Sequence, residues 1–348
     1  MSVPYSTPSP SVGVEITNRC NLACRHCFNH SGEGALQELA LDELLCLFDQ
    51  VRDMGGTRIR ISGGEPTLHP NFAAIVAGAS QRGLLVALNS HGMYSAHLRA
   101  QMADLPIETF IISLDGLRDA NDMIRGRGVF DRAVDTVAWL RGMQRSVVLG
   151  VHVGRYNAND VEGLIALAAQ WGADIKFAPV RPVGRAREGL RNSVLLPIEF
   201  YQLVQTVTRL RGRYLHIQIS TDLDILRPID PATPRLPAQA SCPAGRSMLN
   251  VNYDGYVYPC AFLVTPQREF AAGRLSDTPL LTLWQESPVF APFRTLNKDA
   301  RCQTCFAYGR TCVGGCVALS YFAAGRLDAL DPTCFMEYVP PTGQEERV

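Results

Sequence analysis

The sequence predicts an α/β protein: a partial barrel of six βα units, (β/α)6, followed by a small cysteine-rich domain with a β-hairpin and short helices. Two observations carry this. Residues 12–180 alternate short β-rich runs with amphipathic runs, the pattern of parallel strands joined by crossover helices. Seven of the eleven cysteines then fall in the last third of the chain, after a sharp change of composition that marks a domain boundary.

Taken in order, residues 1–11 form a polar, proline-bearing lead-in, expected to be loosely ordered. It lacks the charged-then-apolar order of a signal peptide. Residues 12–186 make the barrel, with strands expected at 12–17, 58–62, 84–88, 109–114, 146–153 and 174–178. The run 36–54 carries Leu41, Leu44, Leu45, Leu47, Phe48 and Val51 close to helical spacing, with Cys46 expected as a core thiol. Six units are too few to close a barrel of eight, so an opening for substrate is expected at one side. Residues 187–240 read as a connection: a helix near 197–211, a strand near 216–220 and the proline-rich run 227–237. Residues 241–348 form the cysteine-rich domain.

Bulk properties narrow the function. Lys and Arg number 33 and so do Asp and Glu, so net charge gives no reason to expect nucleic-acid or anionic-membrane binding. No apolar run reaches the length of a transmembrane helix. A cytoplasmic location is expected, and there cysteines are better read as metal ligands than as disulfides.

Cys20, Cys24 and Cys27 lie directly after the first strand in the spacing C-x3-C-x2-C. Iron–sulfur sites normally use four thiolates, so three would leave one iron of a four-iron cluster open to a small molecule. C-x2-C pairs also build zinc sites, with His26 as a conceivable fourth ligand. The second strand ends in Gly63-Gly64-Glu65-Pro66, where glycines let backbone groups approach a ligand closely. An ordinary strand-to-helix turn is the alternative. The third strand ends in Asn89-Ser90-His91-Gly92, and the fourth in Ser113-Leu114-Asp115-Gly116, followed by Ile124-Arg125-Gly126. In βα folds active groups gather at the carboxyl ends of strands. Asn89 and Asp115 can equally cap helices, and Arg125 can be a surface residue.

With the cysteine loop and the glycine–acid segment together, the chain resembles the radical S-adenosylmethionine (SAM) superfamily from Val12 nearly to the C-terminus. The resemblance implies a TIM-type partial barrel in which Cys20, Cys24 and Cys27 hold a 4Fe–4S cluster whose open iron chelates SAM. Gly63, Gly64 and Glu65 match the segment that receives the SAM amino group, and His26 stands where an aromatic residue is usual. Asn89, Ser113 and Asp115 become candidates for SAM contacts, and Arg125 matches an arginine that pairs with the SAM carboxylate. Val151, Val153 and Asn157 are assigned to the adenine side, and the 182–186 segment matches a family segment without an assigned role.

The second cysteine set begins with Cys242. Asn252-Tyr253-Asp254-Gly255 follows as a turn, and Cys260 comes next, a hairpin that brings two thiolates together. Cys302, Cys305, Cys312, Cys316 and the solitary Cys334 complete it. Two metal centres or zinc knuckles are both open, although two closed zinc sites need an eighth ligand. The set resembles the SPASM domain of radical SAM enzymes, with one extra residue between Cys305 and Cys312. That resemblance implies two auxiliary 4Fe–4S clusters, one on Cys302, Cys305, Cys312 and Cys334, the other on Cys242, Cys260 and Cys316 with its fourth ligand unassigned.

The family implies reductive cleavage of SAM to a 5′-deoxyadenosyl radical and a net oxidation of substrate by dehydrogenation, cross-linking or related hydrogen-abstraction chemistry. The expected substrate is a ribosomal peptide, with a tetrapyrrole, sugar or nucleoside as the small-molecule alternative and a non-catalytic electron carrier as the alternative of another class. Only 19 residues precede Cys20, too few for a leader-peptide-binding domain, so a separate leader-binding protein is expected. A flavodoxin- or ferredoxin-type reductant is expected too. The catalytic acid or base is unknown.

Overall fold

The structure, a computed structural model, describes residues 9–32, 37–222 and 241–339. The barrel strands are β1 (Ser11–Glu15), β2 (Arg58–Ser62), β3 (Leu85–Ser90), β4 (Ile107–Ser113), β5 (Ser146–Val153), β6 (Asp174–Pro179) and β7 (Ile219–Thr221). Each pairs in parallel with the next. Between them run α1 (Leu41–Asp53), α2 (Phe72–Gln81), α3 (Ala96–Ala103), α4 (Arg118–Arg125), α5 (Val129–Gly142), α6 (Val161–Trp171), the short α7 (Ala186–Gly189) and α8 (Pro197–Arg213). The six expected strands are all present, within two residues of the expected ends.

Helix α1 starts at Leu41, not at residue 36. Ala40 is extended, and its N–H donates to the Glu43 carboxylate at 2.8 Å, which caps the first turn. The helix buries Leu44, Leu47, Phe48 and Val51. Cys46 is exposed, against expectation. An apolar face at 3.6 residues per turn has an edge, and Cys46 falls beyond it.

The expected connection is in part barrel. Residues 219–221 form β7, which continues the sheet beside β6, and α8 packs on α6. The strand expected near 216–220 is present, but a local pattern does not say which sheet a strand joins, and it pairs with β6. The proline-rich run 227–237 lies outside the described residues.

The cysteine-rich region continues the same sheet. Strand β8 (Met248–Val251) pairs in parallel with β1, and β9 (Tyr256–Tyr258) and β10 (Gly273–Arg274) follow antiparallel. The strand order is β10-β9-β8-β1-β2-β3-β4-β5-β6-β7, one open sheet of ten strands. The expected hairpin is β8–β9, closed by the Gly255 N–H donating to Asn252 O at 2.9 Å. Cys242, Cys260 and Cys316 are buried in a core of their own with Tyr258, Leu263, Phe270 and Phe293. No helix among the described residues is long and apolar enough to cross a membrane.

Candidate active site

The carboxyl ends of the barrel strands surround a cavity of about 290 Å³. Cys20, Cys24 and Cys27 line it together with Gly63, Gly64, Asn89, Ser113 and Arg125. Segments far apart in sequence therefore meet at one mouth, because parallel strands all present the same end there. Glu65 and Asp115 stand one layer back: both are fully buried, and neither lines the cavity. Of the adenine-side candidates, Val151 lines the cavity while Val153 and Asn157 do not.

The glycine pair is required by close approach. A Cβ on Gly63 would stand 2.2 Å from Thr17 O, and one on Gly64 would stand 2.3 Å from Arg19 O. The Gly64 and Glu65 N–H groups donate to Thr17 O and Arg19 O at 2.8 and 2.7 Å, tying this turn to the approach to Cys20. The Glu65 carboxylate accepts from Ser90 Oγ at 2.9 Å, the His91 N–H at 2.9 Å and Thr67 Oγ1 at 2.7 Å. It thus locks the second strand end to the third.

Asp115 plays the same part on the other side. Its Oδ2 accepts from Arg125 Nε at 2.6 Å and faces His26 Nε2 at 2.8 Å, while Oδ1 accepts from the His152 N–H at 2.7 Å. Burial opposes the charge, but the Arg125 guanidinium and His26 hold the carboxyl well below its usual range. Burial pushes His26 down, favouring neutral imidazole. Asn157 closes this network: its Nδ2 donates to Asp115 O and to His152 O, the latter at 2.9 Å. His26, Asp115 and His152 place three ligating atoms within 4.8 Å of one another. A cation there is disfavoured, since the Arg125 guanidinium already occupies Oδ2 and carries the same sign of charge.

The sequence left the 182–186 segment without a role, and the structure gives it one. The Arg185 N–H donates to Cys27 O at 2.9 Å, its Nε to Cys24 O at 3.1 Å and its Nη1 to Ser31 O at 3.1 Å. Gly184 has φ +59°, and a Cβ there would stand 2.3 Å from Phe28 O. This segment clamps the cysteine loop from across the barrel. Glu15 was also missed. It is buried at the end of β1 and accepts from Asn29 in the cysteine loop at 2.6 Å and from Asn250 on β8 at 3.2 Å. Glu15 is a carboxylate in an otherwise apolar run, the one sequence signal that marks it.

The C-terminal cysteines fall into two sets. Cys242, Cys260 and Cys316 sense one another electrostatically, as do Cys302, Cys305, Cys312 and Cys334. Burial pushes Cys20 up to about 11, as it does Cys242 and Cys302, and Cys260 up to about 12. Among the described residues, the only three His, Cys, Asp or Glu ligating atoms within 4.8 Å of one another belong to His26, Asp115 and His152. One tetrahedral zinc would draw its sulfurs to about 3.8 Å from one another, given Zn–S bonds of ~2.3 Å. A second cavity, of about 510 Å³, is lined by Cys302, Cys305, Cys312, Cys316 and Cys334.

Comparison with known proteins agrees with this geometry. Residues 14–168 match the model of the radical SAM superfamily, and residues 242–306 match that of the SPASM iron–sulfur cluster-binding domain. The chain is 30% identical over 338 residues to mycofactocin maturase MftC of Mycolicibacterium smegmatis, covering 96% of this chain and 84% of that protein. It is 30% identical over 333 residues to the PqqA peptide cyclase of Xanthomonas campestris, covering 94% of this chain and 87% of that protein. Streptococcus suis SuiB bound to S-adenosylmethionine shares the fold, with a TM-score of 0.77, 15% identity and coverage of 94% of this chain and 77% of that one. The chain therefore belongs to the radical SAM superfamily and carries a SPASM iron–sulfur domain in its C-terminal third.

Proposed function

We propose that this radical SAM enzyme oxidatively modifies a residue of a ribosomal peptide, by dehydrogenation or cross-linking. The observation that carries the chemistry is the single cavity shared by Cys20, Cys24, Cys27, the Gly63–Gly64 turn and Arg125. The peptide substrate rests on relatives named as a maturase and a peptide cyclase.

The residues fit the groups that the family implies. An all-thiolate donor set suits iron–sulfur clusters, which are held by cysteine thiolates. Gly63 and Gly64 line the cavity and pack directly on the backbone that leads to Cys20, and Asn89 Oδ1 is buried with no partner. When bound, SAM and the cluster on Cys20, Cys24 and Cys27 supply a 5′-deoxyadenosyl radical that takes a hydrogen atom from the substrate. Arg125, held by Asp115, presents its guanidinium to the SAM carboxylate. The backbone of Gly63 and Gly64 takes the amino group, with Glu65 fixing that turn from behind. Asn89 and Ser113 face the ribose. Cys302, Cys305, Cys312 and Cys334 hold one auxiliary cluster, and Cys242, Cys260 and Cys316 the other. A flavodoxin- or ferredoxin-type protein of the cytoplasm supplies electrons, and a separate protein presents the leader peptide.

The test is anaerobic reconstitution with dithionite and SAM. Accumulation of 5′-deoxyadenosine is expected, together with loss of a hydrogen pair from a short precursor peptide, should one be found encoded beside this gene. A cluster-replete protein that makes no 5′-deoxyadenosine would be an electron carrier instead. Turnover without peptide oxidation would move the substrate to a small molecule. Replacing Cys20, Cys24 and Cys27 together by Ala should lower iron from about twelve to about eight per chain, at four per cluster. Unchanged iron would refute the ligand assignment.

A further inference from the structure

We propose that Arg181 sets the reduction potential of the auxiliary cluster on Cys242, Cys260 and Cys316, acting from the wall that separates the two cavities. The inference rests on the proposed ligation of that cluster by these three thiolates. Arg181 lies just beyond the end of β6 and lines both cavities, as does Asp222 just beyond β7. Its side chain is only 3% exposed. Nε donates to Cys316 Sγ at 3.3 Å, Nη2 donates to Asp222 at 3.1 Å, and the guanidinium carbon stands 4.2 Å from the centre of the Phe262 ring. Each contact uses a different part of the planar fork, so the group is fixed in position and orientation.

Cys242 and Cys260 of this set receive hydrogen bonds from the neutral backbone N–H groups of Ala244, Val317 and Phe262. Arg181 brings a full charge to the set. Asp222 offsets it only in part, because the same carboxylate also pairs with Lys176 at 2.8 Å. Reducing a cluster adds negative charge, so a buried guanidinium donating to a ligating sulfur favours the reduced form. Hydrogen bonds to sulfur and burial are the protein's levers on cluster potential. The wall therefore presents the radical cavity with a cluster poised to take an electron, and Arg181 is a positioning residue for it.

The test compares Arg181→Met and Arg181→Lys with wild-type holoenzyme, using iron content and EPR-monitored redox titration. The relevant signal is the one missing from Cys316→Ala. Expected is a negative shift of that midpoint in Arg181→Met equal to at least a tenfold change in the reduction equilibrium, 59 mV for one electron. Arg181→Lys should shift it less, with the cluster of the N-terminal cysteines unmoved in both. A midpoint in Arg181→Met equal to wild type overturns the inference. So does loss of the signal and about four irons in both variants, which would make Arg181 a scaffold residue. Wild-type holoenzyme without a signal that depends on Cys316 would instead refute the proposed ligation itself.

Discussion

Glu15 gives the sharpest quantitative test of how the two regions are joined. Its carboxylate is 1% exposed and lies between Asn29 of the cysteine loop and Asn250 of β8. Burial raises it from an ordinary 4.5 to about 7, against the lowering effect of the two amides and Arg60; Asp254 adds to the rise. In the folded protein it therefore keeps its proton over a range where the unfolded chain has lost it. The stability this contributes is complete below pH 4.5, declines as pH rises, and is gone above about pH 7. At about 1.4 kcal/mol per pH unit, the swing is roughly 3 kcal/mol. Glu15→Gln stays neutral throughout, and Asn250 Oδ1, buried with no partner, can accept from the new amide. The assay is urea unfolding of anaerobic holoenzyme across that pH window. Wild type should lose stability relative to the variant by about 3 kcal/mol between the two ends. Parallel pH profiles for the two proteins would refute the reasoning.

Two further substitutions probe the site. Gly64→Ala places a Cβ 2.3 Å from Arg19 O and 2.9 Å from Asn18 O, so the approach to Cys20 must shift. SAM affinity should fall about tenfold, or ~1.4 kcal/mol, while auxiliary iron is retained; calorimetry giving wild-type affinity would contradict this. Asp115→Asn leaves the buried Arg125 guanidinium without its carboxylate and should destabilise the fold by roughly 3–5 kcal/mol. A loss below about 1 kcal/mol in denaturant unfolding would mean that the pair behaves as a surface ion pair.

Much of this was legible beforehand for definite reasons. Strands β2 and β5 fall where β-branched and other apolar residues alternate with half-exposed ones, burying Ile59 and Ile61 in β2 and Val147, Leu149, Val151 and Val153 in β5. The spacing of Cys20, Cys24 and Cys27 marks one loop that can offer three thiolates, whereas the grouping of Cys242 and Cys260 with the distant Cys316 rests on the family resemblance. Cys46 was misread because period alone does not say how wide the buried stripe is. The strand expected near 216–220 is β7, and only the tertiary pairing with β6 makes it part of the barrel and not of a connection. Glu65 and Asp115 were read as cofactor contacts and lie behind the cavity surface. A motif names the residue but not which neighbours take its oxygens.

By itself, the sequence determined the order of βα units, the three-cysteine loop after the first strand and the glycine–acid turn after the second. The tertiary structure decided which groups face the cavity and which support it, that Arg185 grips the cysteine loop, that β8 extends the barrel sheet and that Arg181 stands between two cavities. The division has a physical cause. Periodicity and ligand spacing are local, set by the geometry of one strand, helix or loop. Burial, ion pairing and the hydrogen bond from Arg181 to Cys316, 135 residues away, exist only once the strands have aligned.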